Sequence, residues 1–259
     1  MTPLSAFLLT VAIVFAAKTL AWWLQLRTRN AGLVDVIWAF TLGGLALVYA
    51  ALGDAPLVVR VALGLMGGAW GVRLGLHLWF RNWGKPEDWR YARFRQQWGA
   101  RADFNMFWFF QFQNIFTLLL SASAFLPLAY REGVPPLACL IIAVAIWIVS
   151  VVGEGIADRQ MERFRADPAN KGQVCRDGLW RWSRHPNYFF ECLHWVAYVP
   201  LAWGMELWWL TLGAPLVMAL LLMKMSGVPL LEAEMMQRKP GYADYVRRTS
   251  ALVPWPPRA

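Results

Sequence analysis

Charged side chains are scarce. They make up 16% of the 259 residues, whereas a water-soluble domain carries about a quarter, so an ordinary solvated surface is excluded. Cysteine is nearly absent: Cys139, Cys175 and Cys192 form neither a metal-binding spacing nor a disulfide framework, and buried free thiols are expected. The three histidines, His77, His185 and His194, are isolated, so no metal site is expected. There is no glycine-rich dinucleotide fingerprint after a strand and no phosphate-binding P-loop, so any bound dinucleotide is held without a Rossmann domain. No Ser–His–Asp arrangement, internal repeat or low-complexity stretch stands out.

Apolar residues are abundant, at 58%, and they cluster into runs far longer than a soluble core requires. Seventeen tryptophans suit the membrane–water interface, where the ring is buried and the N–H stays wet. Runs of about 20 mostly apolar residues mark membrane spans. They fall at 4–26, 33–52, 57–79, 106–128, 136–153, 188–203 and 207–225. The predicted fold is therefore all-α: one seven-helix transmembrane domain over 1–259, with the last two spans forming a hairpin. The first run is read as a true span, since MTPLS before it has no Lys or Arg. Basic residues alternate sharply. The loops after spans one, three and five and the C-terminal tail carry nearly all of them, and the opposite side has Arg60 and Arg131. By the positive-inside rule the N-terminus lies outside and the C-terminus in the cytoplasm. The net charge of +9 thus sits in loops between apolar runs. Anionic lipid heads or a phosphorylated cofactor fit that placement, and nucleic acid does not.

Several polar residues stand inside or beside the spans. Asp35, in GLVDVIWAF, is either a functional acid able to donate a hydrogen bond or an interfacial aspartate favoured by the helix dipole. Lys18 and Arg73 either snorkel to the cytoplasmic face or form a charge pair in the bundle, Asp35 being one partner available. His77, one turn past Arg73, is a packed histidine or a proton handler. Gln111, Gln113 and Asn114 bond a neighbouring helix or line a cavity. After span three, RNWGKPEDWRYARFRQQWG reads as an interfacial amphipathic segment, in which Asn82 and Lys85 could hold phosphate or adenine.

The densest cluster covers 158–195. Asp158 and Arg165 lie two helical turns apart on an extension of span five, so both can project from one face. Arg181, Arg184 and His185 precede Pro186 at the expected start of span six, and a helix N-terminus attracts anions. Asn187, Tyr188 and Glu191 continue into the span, where Asn and Glu could bond a carboxamide or ribose. A positive-inside loop bound only to lipid heads explains the arginines but not Asn187 and Glu191 in the membrane. In the tail, Glu232 and Glu234 sit on a short polar helix, with Tyr242 and Tyr245 after Gly241. The tail is either a solvated amphipathic segment or a lid over a cytoplasmic pocket.

GLWRWSRHPNY, followed by FFECLHW and ending in PGYADYVRRTSALVPWPP, resembles the steroid 5α-reductase family. It is most similar to a bacterial branch once known only as a domain of unknown function, and RNWGKPEDWRY fits the same branch. The resemblance covers nearly the whole chain and is most specific over 176–191. It implies a seven-helix bundle in the bacterial inner membrane, expected as a monomer, with a cytoplasmic-side NADPH pocket and a cavity for a steroid or other isoprenoid-like lipid. The reaction implied is reduction of the carbon–carbon double bond of an enone such as a 3-oxo-Δ4 steroid. By resemblance, Asn82 and Lys85 match a turn that touches the cofactor, Asp158 and Arg165 match the family's acid and arginine after span five, and Asn187 and Glu191 match its Asn and Glu in span six. Arg181, Arg184, His185, Tyr188 and Tyr242 fall in the same expected pocket. Asp35 falls near the catalytic glutamate, one methylene shorter. The partner tyrosine of span three has no evident counterpart, since Trp70 or Gly71 falls there. RHPNY is also similar to isoprenylcysteine and phospholipid methyltransferases, which use S-adenosylmethionine and stand as the alternative enzyme. A lipid-binding or scaffold protein is the non-enzyme alternative.

Overall fold

A computed structural model describes residues 1–258. Helix boundaries follow local signals. In α1 (Pro3–Thr28) the Thr2 hydroxyl accepts from the Ser5 N–H and proline occupies the first turn, a standard helix start. The helix ends at Arg29, the one described non-glycine residue with positive φ (52°). Helices α2 (Leu33–Leu52), α3 (Leu57–Asn82), α5 (Ala102–Ala129) and α6 (Leu137–Ala166) are long and apolar. Between α3 and α5 lies the short polar α4 (Trp89–Trp98), capped by the Asp88 carboxylate and stopped by Gly99 at φ 51°. Further along come α7 (Pro186–Val196), α8 (Gly213–Leu220), α9 (Val228–Arg238) and α10 (Tyr242–Arg248). No strand occurs among the described residues, apart from an isolated bridge between Ser183 and Ser250.

Six helical stretches are long and apolar enough to cross a membrane: Pro3–Thr28, Leu33–Leu52, Leu57–Asn82, Trp89–Ala129, Leu137–Ala166 and Trp208–Arg238. Large apolar side chains such as Leu8, Phe15, Leu65 and Ile141 are exposed along them, as hydrocarbon contact requires. The chain is an all-helical, multi-pass membrane protein. The stretch expected at 188–203 differs. Its α-helix, α7, has 11 residues, or about 16 Å of rise against about 30 Å of hydrocarbon. The chain then tightens into a 3₁₀ turn at Pro200–Ala202. The stretch at 207–225 is likewise segmented, with a 3₁₀ turn at Trp208–Leu212, then α8, then a π turn at Leu221–Met225.

The helices gather into two compact units. The first comprises Met1–Pro135 and Ala202–Gly213, and the second Pro136–Leu201 and Ala214–Ala259. Within the first, α2 and α3 pack backbone to backbone. A Cβ built on Gly71 would lie 2.5 Å from the Gly43 Cα and 2.9 Å from the Ala39 carbonyl oxygen. This is the small-residue contact that lets membrane helices approach closely. α1 and α5 are joined by polar contacts: Lys18, fully buried, donates to Gln113 Oε1 at 2.8 Å, and Gln111 donates to Thr19 at 3.2 Å. Gln111 and Gln113 therefore bond a neighbouring helix, while Asn114 donates to Gln111 on its own helix at 2.7 Å. Lys18 neither snorkels nor bonds Asp35.

Within the second unit, Phe190 of α7 packs over Gly153 of α6, where any side chain would collide with its ring. The C-terminal tail folds back on residues 180–185. Arg184 N donates to the Ser250 carbonyl at 2.8 Å, Ser183 Oγ to the Leu252 carbonyl at 2.8 Å, and Trp255 N to the Trp182 carbonyl at 2.9 Å.

Candidate functional site

Asp35 stands in the first turn of α2. Both of its oxygens accept hydrogen bonds from α4: Oδ1 from the Tyr91 hydroxyl at 2.7 Å and Oδ2 from Arg90 Nη2 at 3.0 Å. The donor role expected for Asp35 thus passes to its partners, because a carboxylate bonded to a guanidinium accepts. Arg90 also binds Asp88, through Nε at 2.9 Å and Nη2 at 3.0 Å. Burial pushes the Asp88 carboxyl up, but the hydrogen bonds and charge of Arg90 outweigh it and hold the group below the usual carboxylate range. Tyr91 is 4% exposed and packs among Ala21, Val34, Met106 and Phe110. The Asp35 and Arg90 side chains are 25% and 22% exposed, so an apolar-walled tyrosine hydroxyl meets a partly open ion pair.

The surrounding turns hold this corner in place. Glu87 accepts from the Ala31 N–H at 2.8 Å and is gripped by Arg95, which also reaches Asp103 and Gln25. Asn82 closes α3 and donates to the Gly32 carbonyl at 3.4 Å. Lys85 is exposed in the same turn, with its backbone N–H bonded to Asn82. The structure thus brings Asn82 and Asp35 into one corner of the first unit and adds Arg90 and Tyr91, which the sequence reading left inside an undifferentiated amphipathic segment. The signal was there: Tyr91, Phe94 and Trp98 recur at helical spacing on a basic helix, and all three belong to one packed cluster. No tyrosine is possible at position 71, where the α2–α3 backbone contact leaves no room for a side chain.

The second unit holds the remaining candidates, with distinct roles. Arg184 is 10% exposed and its donors are used internally. Nε and Nη2 grip Glu232 at 2.7 and 3.2 Å, and Nη1 serves the carbonyls of Val246, at 3.0 Å, and Thr249. His185 immediately precedes α7, contacts Glu232 at 3.0 Å through Nε2 and stacks on Tyr188, with ring centroids 5.2 Å apart. Tyr245 donates to the Trp180 and Ser183 carbonyls. Burial pushes the Tyr242 and Tyr245 hydroxyls up, so both stay protonated. This is a clasp that ties the tail to residues 180–185. Glu191 is buried in α7, accepting from Trp195 Nε1 at 3.2 Å, and Asn187 is half-buried one turn before it.

Two basic hollows flank the loop after α6. One, of about 420 Å³, is lined by Arg165, Lys171, Lys239, Asp167, Asn170 and Phe164, among others. The Lys239 ammonium bonds the Gln173 carbonyl and lies over the Phe164 ring. Burial first and the Arg165 charge second push its amine down, as close cations do. The other, of about 390 Å³, is lined by Arg176, Arg181 and Arg248. Arg165 and Arg181 therefore line different hollows. Asp158, on α6, lines neither. Among the described residues no cluster of His, Cys, Asp and Glu could hold a metal ion.

An uncharacterised protein of Schizosaccharomyces pombe is 25% identical over 219 residues, which cover 74% of this chain and 63% of the yeast protein. The chain thus spans less than two thirds of that relative's length. No solved structure matches. A family model described as "Protein of unknown function (DUF1295)" matches residues 21–249, and the chain belongs to that family.

Proposed function

We propose that this protein is an NADPH-dependent reductase of the bacterial inner membrane, acting on the carbon–carbon double bond of a 3-oxo-Δ4 steroid or similar isoprenoid enone. The observation that carries the reading is the Tyr91 hydroxyl, seated in an apolar wall and hydrogen-bonded to an Asp35 carboxylate that Arg90 holds. A ketone oxygen within reach of Tyr91 takes its hydrogen bond, while Arg90 keeps Asp35 paired. Negative charge growing on that oxygen is then met by a donor already in place, next to a guanidinium. NADPH, when bound, supplies the hydride for the β-carbon, and a proton from water completes the reduction at the α-carbon. Asp35 acts by positioning Tyr91 and Arg90.

The hollow of Arg165, Lys171 and Lys239 has the donor set for phosphate, and the Phe164 ring offers a flat apolar wall. The resemblance of 176–191 and 240–257 to the steroid 5α-reductase family supports the same chemistry. In this reading Arg184, His185 and Tyr245 hold the tail on residues 180–185, and Asn187, Tyr188, Glu191 and Tyr242 remain candidates for coenzyme contact.

Seven crossings, with the N-terminus outside, belong to this reading. Phe190 packs over Gly153, midway along α6, while the Trp203 carbonyl accepts from Arg131, in the loop just before α6. The packing of α7 on α6 within the second unit supports reading 188–203 as a further crossing. Arg60 and Arg131, the cations assigned to the outer side, bond backbone carbonyls at the end of α2 and in the α5–α6 loop.

The test is turnover by purified protein supplied with NADPH and a 3-oxo-Δ4 steroid, read as loss of reduced nicotinamide and gain of the saturated ketone. Turnover is expected. No product together with no nucleotide binding overturns the reading, and binding of S-adenosylmethionine in place of NADPH selects the methyltransferase.

A further inference from the structure

The second unit carries an apolar groove that the reductase reading leaves unused. It encloses about 500 Å³ and is walled by Ile148, Val152 and Ile156 of α6 with Phe190, Trp182 and Leu179. Gln160 is the one polar side chain among its lining residues. From Ile148 to Gln160 the groove follows α6 for about 18 Å. Ile148, Val152 and Ile156 are exposed, on a helix long and apolar enough to cross a membrane, so hydrocarbon is their natural neighbour.

At its polar end the groove meets the arginine hollow, because Gly178 lines both. The meeting point is firmly built. Gly178 has φ 58°, a side chain there would strike Gln160, Gln160 accepts from the Leu179 N–H at 2.9 Å, and Trp180 Nε1 donates to the Ala157 carbonyl at 3.0 Å. Around the hollow, Arg176 and Arg248 share the Asp244 carboxylate, which also receives Arg247. Three guanidiniums on one carboxylate leave net positive charge, and the exposed Arg181 adds to it. Asp177 is the acidic residue lining the hollow.

An apolar channel on a membrane-facing helix that opens into a cationic hollow is complementary to an amphiphile with one hydrocarbon chain and one anionic head. We propose that this site binds an anionic phospholipid, with an acyl chain along α6 and its phosphate among Arg176, Arg181 and Arg248. The inference stands apart from the coenzyme reading, whose phosphate hollow is the one around Arg165 and Lys239.

The test uses full-length protein in nanodiscs of phosphatidylcholine mixed with phosphatidylglycerol, released gently and weighed intact by native mass spectrometry. Wild-type protein is expected to retain phosphatidylglycerol over phosphatidylcholine. Arg181→Gln with Arg248→Gln should lower that preference about tenfold, the scale of one to two arginine contacts with a lipid head. Val152→Trp, at an exposed position, should displace the lipid with all arginines in place. Affinity for NADPH should be unchanged in Val152→Trp. Equal retention of the two lipids, indifference to both variants, or full displacement by millimolar inorganic phosphate overturns the proposal. Loss of NADPH binding in place of lipid binding would assign the arginines to the coenzyme and overturn it too.

Discussion

Each unit contains an arginine gripping a carboxylate beside buried tyrosines, yet the two arrangements differ in what they leave available. In the second unit Arg184 meets Glu232 and two backbone carbonyls, and the Tyr245 hydroxyl is taken by the carbonyls of Trp180 and Ser183. In the first unit Arg90 divides itself between Asp35 and Asp88, and the Tyr91 hydroxyl rests on a carboxylate about a quarter exposed. The same residue types therefore make a fastener in one place and a more open ion pair in the other. The tyrosines are equally buried, and the greater exposure of the Asp35–Arg90 pair separates the two, not composition.

Substitutions should sort the same way. The largest effect is expected from Arg184→Ala. It strands Glu232 and unpins the tail, at a cost of about 3–5 kcal/mol, the scale for breaking a buried pair. Thermal or denaturant unfolding in detergent checks it, and loss of ligand binding should follow loss of fold. Tyr91→Phe should do the reverse: turnover falls about 10²–10³-fold, as for loss of one donor to a developing oxyanion, while unfolding and NADPH affinity change little. A Tyr91→Phe protein that retains turnover would erase the contrast between the two regions.

The comparison also shows what could be read from sequence. Leu33–Leu52 is both the predicted and the observed second helix, because a run of mostly apolar residues of that length between Gly32 and Gly53 leaves few alternatives. The break-up of 188–225 was less legible. Apolar content marks membrane contact, but Pro200, Gly204 and the π turn before Gly227 decide how the backbone passes through it. Asp35 stood out because an acid beside a span is costly. Tyr91 did not, since its role depends on α4 folding back 56 positions along the chain to reach Asp35. Arg184 looked like a phosphate ligand because the sequence shows its charge and hides Glu232, 48 positions away.

Smaller effects sharpen the picture. Gly71→Ala should destabilise the first unit by about 1–3 kcal/mol, since the added methyl meets the Gly43 backbone and not a movable side chain. Its unfolding midpoint should drop with the chemistry of any surviving folded protein intact. Lys239→Ala should weaken NADPH binding about tenfold, the value of one charge-assisted phosphate contact, in a direct binding titration. Acid gives the mildest test. The Asp88 carboxyl lies below its ordinary value of about 3.9. Its contribution is therefore present above that pH and is lost as pH falls through the folded-state value. Hydrogen exchange over 86–98 should quicken there, and Asp88→Asn should remove the pH dependence.

The most direct measurement of the central claim is isotope transfer. Purified protein is supplied with NADPH deuterated at both C4 positions and a 3-oxo-Δ4 steroid, and the product is analysed by mass spectrometry and NMR. One deuterium is expected at the β-carbon and a solvent proton at the α-carbon, with Tyr91→Phe suppressing the product while coenzyme binding persists. A product without deuterium, or no product from protein that binds NADPH and is folded, would contradict it.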